Sequence, residues 1–120
     1  MKYKLVIFDT RLSCFETLLT TDRLIEAPNW HRNDTIFVNS DGLLFEINLN
    51  NPVLRLHNTG ELTTLNNDHG ISPEGMSLFL SNNDENGNSV IFQKDINTTN
   101  CIQITNNNPS WWHGVSPDGQ

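Results

Sequence analysis

The sequence predicts an all-β fold, an incomplete β-propeller of about two and a half to three four-stranded antiparallel blades, and three observations predict it. The first is a recurring turn. "SPDG" at 116–119 has Pro at its second position and a closing Gly, the chemistry of a tight turn between strands. "SPEG" at 72–75 repeats it, and "HRND" at 31–34 is a degenerate third copy. The second is its spacing: Trp30, Ile71 and Val115 hold equivalent places beside these turns, 41 and 44 residues apart. The third is an independent marker. "VIF" at 6–8, "LLF" at 43–45 and "VIF" at 90–92 precede those positions by 24, 28 and 25 residues. A period of roughly 40 to 45 residues with four short strands per unit is the signature of a propeller blade.

The elements follow in order. Residues 1–26 supply the outer strands of a preceding blade, beginning with "KLVIF". Residues 27–67 form the first blade: "NW", the turn "HRND", then "TIFVNS", "GLLFEINL" and "VLRL", with turns at "SDG" and "NNP". Residues 68–110 form the second: "HGIS", the turn "PEG", "MSLFLSN", a hairpin at Asn86–Gly87, "SVIFQKDI", the turn "NTTN" and "CIQIT". Residues 111–120 open a further blade that stops early, so the chain is expected to be too short to close a ring alone. No window sustains apolar residues at helical spacing without a Gly, Pro or Asn cluster intervening.

One such sheet cannot bury enough surface to stand alone, and blades stack face to face. Ile36, Val38, Leu43 and Phe45 are expected to pack on Leu78, Leu80, Val90 and Phe92 of the next blade, with Trp30 as an inter-blade plug.

Composition narrows the partners. The formal charge is −7, from 14 acidic and 7 basic residues, with no Lys/Arg cluster, which argues against nucleic acid and anionic membrane surfaces. No apolar run approaches the ~20 residues that span a bilayer. The start "MKYKLVIFDTRLSCFE" meets Asp9 and Arg11 too soon for a signal peptide. Cys14 and Cys101 lack metal-ligand spacing, and as reduced thiols they point to the cytoplasm. The abundant Asn residues suit turns.

"APNW" at 27–30, "NNDHGISPEG" at 66–75 and "PSWWHGVSPDG" at 109–119 resemble the repeats of the TolB family of WD-like β-propellers. The family's "SPDG" element is matched fully at Ser116, Pro117, Asp118 and Gly119, nearly at Ser72, Pro73, Glu74 and Gly75, and degenerately at 31–34. The resemblance covers the whole chain as part of a ring and is nearest to small single-domain members. It implies a propeller that binds proteins or small ligands, a fold that hosts many activities.

His69 and His113 stand two residues before Ile71 and Val115, at equivalent positions of successive repeats. First strands of propeller blades line the central channel, so Asp68, His69, Trp112 and His113 are channel-lining candidates. Imidazoles converging on one axis could hold a divalent metal, and oligogalacturonate lyases, propellers of similar repeat type, use channel histidines around a metal for β-elimination. The competing reading has each histidine hydrogen-bonding the backbone of the neighbouring blade; two ligands fall short of the three a catalytic zinc site needs. Gly70 and Gly114 fit close strand approach. Asp118, Glu74 and Asp34 are expected to accept hydrogen bonds from their own turns. No phosphate loop or nucleophile elbow occurs. The sequence thus predicts a non-enzymatic protein-interaction or ligand-binding scaffold without a cofactor, prone to self-association. The alternative is part of a metal-dependent propeller lyase or hydrolase acting on carbohydrate or peptide.

Overall fold

The structure is a computed structural model that describes residues 1–120, and it is built of strands alone. β1 (Tyr3–Asp9) and β2 (Cys14–Thr21) make a two-stranded antiparallel sheet. β3 (Glu26–His31), β4 (Thr35–Ser40), β5 (Leu43–Asn48) and β6 (Asn51–Leu56) make the first blade as a meander. β7 (Leu65–Ile71), β8 (Ser77–Asn83), β9 (Ser89–Asp95) and β10 (Cys101–Gln103) make the second. β7 begins three residues before Asp68, because the Leu65 amide donates to the Gly42 carbonyl at 2.9 Å and starts the strand against the β4–β5 turn. No strand lies within 111–120, and no helix is long and apolar enough to cross a membrane.

The turn repeat is geometric as well as textual. In "SPEG" the Gly75 amide donates to the Ser72 carbonyl at 2.8 Å, and in "SPDG" the Gly119 amide donates to Ser116 at 2.8 Å. Both glycines are left-handed, with φ of 79° and 75°, a conformation costly for a residue with a Cβ. In "HRND" Asp34 takes the glycine's place at φ 62°, which Asp tolerates better than most. The hairpin at Asn86–Gly87 is fixed by Asp84, whose carboxylate accepts from the amides of Asn86 (2.9 Å) and Asn88 (2.8 Å).

Two apolar layers hold the three sheets together. Leu5 packs with Ile36, Val38, Phe45 and Ile47 between the β1–β2 sheet and the first blade. Phe37, Leu44, Leu62 and Leu65 pack with Leu78 and Leu80 between the blades. The faces expected for the first blade are therefore exchanged. Ile36, Val38 and Phe45 turn back toward β1, and Phe37 and Leu44 turn forward. β4 is apolar on both faces, and alternation alone does not say which face meets which neighbour.

Trp30, expected as an inter-blade plug, is 55% exposed. It walls a cavity of about 220 Å³ with Leu5, Val6, Phe8, Pro28 and Ile36, and it also lines a pocket of about 190 Å³ with Ile71, Ser72, Pro73 and Gly75 of the second blade. Trp112 is packed on the second blade. Its ring stacks on Phe79, and a Cβ built at Gly70 would meet its indole at 2.0 Å.

Candidate functional site: an acidic groove and a histidine seam

A groove of about 570 Å³ opens where the start of β3, the β4–β5 turn and the start of β7 meet Trp111. Its polar walls are carboxylates and amides, among them Glu26, Asp41, Asp68, Asn39 and Asn67. Arg23 braces one side, donating to Ser40 Oγ (3.1 Å) and Asp41 Oδ2 (3.2 Å) and covering the Phe45 ring at 4.9 Å.

Behind the groove runs an ordered chain of hydrogen bonds between the blades. Asn67 Nδ2 donates to Glu26 Oε1 (3.2 Å), and Asn39 Nδ2 donates to Asn67 Oδ1 (2.7 Å). His69 Nε2 lies 3.2 Å from Asn39 Oδ1, and Asn29 Nδ2 lies 3.1 Å from His69 Nδ1. These partners assign the proton: Nε2–H donates to Asn39, and Nδ1 accepts from Asn29. His69 is buried, and desolvation pushes its pKa down to about 4, against the raising effect of Asp68. A neutral imidazole with both nitrogens engaged has no lone pair left for a metal.

The other sequence candidates separate. Asp68 is half-buried on the groove wall beside His69. His113 is exposed, and Trp112 is half-buried against the second blade, its amide donating to Ser81 Oγ at 3.0 Å. No three His, Cys, Asp or Glu side chains converge on a common point. Ser72 Oγ accepts from the Ser77 amide (3.0 Å), and Ser116 Oγ donates to Asp118 Oδ1 (2.6 Å), so both serines close turns. Hydrogen bonds hold the carboxyls of Glu74 and Asp118 below their usual range, chiefly from the Ser72 and Ser116 hydroxyls. Asp34 serves through its backbone, its carbonyl accepting from the Leu49 amide at 2.9 Å. Gly114 has open space around it, unlike Gly70.

Two seam contacts escaped the sequence reading. His31 Nε2 reaches the Gly75 carbonyl of the next blade at 2.8 Å, the histidine-to-backbone bond expected of His69. Its site is the degenerate turn, where His replaces the Ser of the repeat. The second contact is Glu46–His57–Lys94: His57 Nδ1 is 3.0 Å from Glu46 Oε2, and Lys94 Nζ is 3.2 Å from His57 Nε2. Lys94 stands opposite Leu78 on the core-facing side of β9, so an inward lysine was visible in the alternation of "VIFQK". Nothing in the sequence pointed to His57 as its partner.

No protein-family model matches the chain. An uncharacterised protein of Agrobacterium fabrum is 38% identical over 122 residues, covering all of this chain and 42% of its own length. Among solved structures, a TolB-type protein of Agrobacterium tumefaciens superposes with a TM-score of 0.88 at 38% identity, covering 93% of this chain and 41% of that one. TolB of Acinetobacter baumannii superposes at 0.77 with 24% identity, covering 98% and 30% respectively, a likeness of fold alone. The chain thus spans about two fifths of the length of these two 38%-identical relatives.

Proposed function

We propose that this chain, built of TolB-like β-propeller blades, is a non-catalytic binding scaffold, and that its ligand is a cationic segment of a protein partner seated in the acidic groove. The observation that carries the reading is the groove's lining. Glu26, Asp41 and Asp68 ring a space of about 570 Å³, and the exposed Trp111 offers an aromatic face beside them. Carboxylates around an indole attract ammonium or guanidinium groups, through charge and through the ring quadrupole. The chain's net charge of −7 adds long-range attraction for the same class of ligand. His69, the one histidine behind this wall, is committed to the seam, which favours a binding role over metal-assisted elimination.

The test is a titration of the chain with an Arg/Lys-rich peptide, a neutral peptide and an acidic peptide, read by tryptophan fluorescence. The cationic peptide should bind, with affinity that falls as salt rises. Asp41→Asn and Asp68→Asn should each weaken it several-fold, and Trp111→Phe should remove most of the signal. Equal responses to the three peptides, or binding indifferent to both Asp variants, would overturn the reading.

A further inference from the structure

We propose that Glu46, His57 and Lys94 form an acid-sensitive latch across the seam between the two blades. Lys94 comes from β9 of the second blade and is 1% exposed. Its ammonium has three hydrogens and three acceptors: the Asp95 carbonyl (2.8 Å), the Ile96 carbonyl (3.5 Å) and His57 Nε2 (3.2 Å). His57 opens the linker from the first blade to the second, and its amide donates to the Leu44 carbonyl at 2.9 Å, tying it to the first blade. Because Lys94 can only donate, Nε2 must accept, so the ring proton resides on Nδ1 and is given to Glu46 of β5. The bridge exists only while His57 is neutral.

Protonating His57 puts an N–H where Lys94 needs a lone pair and sets two cations 3.2 Å apart in a buried seam. The contact to Glu46 survives and the contact to Lys94 does not, so the break falls between the blades. The other groups facing the ring do not rescue it. Phe37 of β4 meets it edge-on at 5.2 Å, and the adjoining cavity of about 270 Å³ carries His31 at the end of β3 and Arg32 in the turn after it. Beside Lys94 stand Asp95, at the end of its own strand, and the Cys101 thiol of β10. Burial lowers the His57 pKa, the Glu46 hydrogen bond opposes it, and the Lys94 charge lowers it further. A depressed base contributes its full stability above its ordinary pKa of 6.5 and loses it as pH falls through the folded value. The latch therefore holds at neutral pH and weakens below about 6.5.

Cys101 is a built-in reporter of the seam, since its thiol donates to the Thr59 carbonyl of the same linker at 3.4 Å; Cys14 is exposed and serves as reference. The experiment labels the full chain with a disulfide reagent that reacts at acid pH and follows the Cys101:Cys14 rate ratio from pH 7.5 to 5. The ratio should rise several-fold in the wild type and stay flat in His57→Gln and Lys94→Met. Nitrogen NMR of the wild type should show His57 as the Nδ1–H tautomer at neutral pH. A flat wild-type ratio, an Nε2–H tautomer, or a rise retained in a folded His57→Gln protein overturns the proposal. The tautomer and wild-type labelling decide it even if both variants fail to fold. His69, with a folded pKa of about 4, also loses its contribution to the seam below about pH 6.5, so the same labelling series in His69→Gln removes its share from the comparison.

Discussion

Trp112 lies flat on Phe79, with ring centroids 6.2 Å apart and planes 10° from parallel, and its indole occupies the space a side chain at residue 70 would need. Both consequences can be measured. Gly70→Ala would set a methyl 2.0 Å from the indole, so the ring must leave its seat. The expected result is a loss of about 1–3 kcal/mol in denaturant unfolding, with a red shift of tryptophan emission. Trp112→Ala should cost a similar amount, and the double variant little more than either alone, because the two substitutions remove one contact. Additive losses would show that the indole does not depend on Gly70.

The asparagine-held His69 predicts how stability depends on pH. Its folded pKa, about 4, is below the ordinary 6.5, so the unfolded chain binds the proton more readily. The contribution is complete above about pH 6.5 and is lost as pH falls through about 4. A shift of that size corresponds to about 3 kcal/mol at full extent. Urea unfolding between pH 7.5 and 4 should follow this slope with His57 adding in the same sense, and His69→Gln should flatten the lower part. An unchanged slope in that variant would place the titration elsewhere.

Trp30→Ala distinguishes the two tryptophans. A core plug would cost about 3–5 kcal/mol on truncation. At 55% exposure, Trp30 should cost under about 1 kcal/mol, and its emission should already be solvent-like in the native chain.

The blade count, the turn positions and the strand order were legible because each rests on a local device. Pro and Gly at fixed places in "SPEG" and "SPDG" and period-2 runs such as "SLFLSN" need no knowledge of neighbours. The facing of the first blade was not legible, because Ile36–Phe37–Val38 is apolar on both sides of the strand, and only the neighbouring sheets decide which side meets which core. The seam was legible in part. His69 stood out by its repeat position, but its partners Asn29 and Asn39 are 40 and 30 residues away, in the strands "NW" and "TIFVNS", where no local pattern marked them as its partners. His31 was hidden because its turn had lost the Ser and the Gly of the repeat.

The edge of β1 away from β2 has no strand beside it. By position in the repeat β1 is a third strand, equivalent to β5 and β9, and the strands equivalent to β4 and β8 are what its edge would receive. Val6 and Phe8 are 42% and 48% exposed along it, and Phe8 meets the exposed Phe15 at 4.8 Å. An unpaired edge with apolar side chains is a template for another strand. Self-association through this edge should therefore rise with concentration. Light scattering should show mass rising through the micromolar range. Val6→Lys, which puts a charge on the edge and into the cavity beside Trp30, should hold the chain as a monomer at the same concentrations. A wild type that stays monomeric, or a Val6→Lys protein that associates as strongly, would show that the β1 edge recruits no strand.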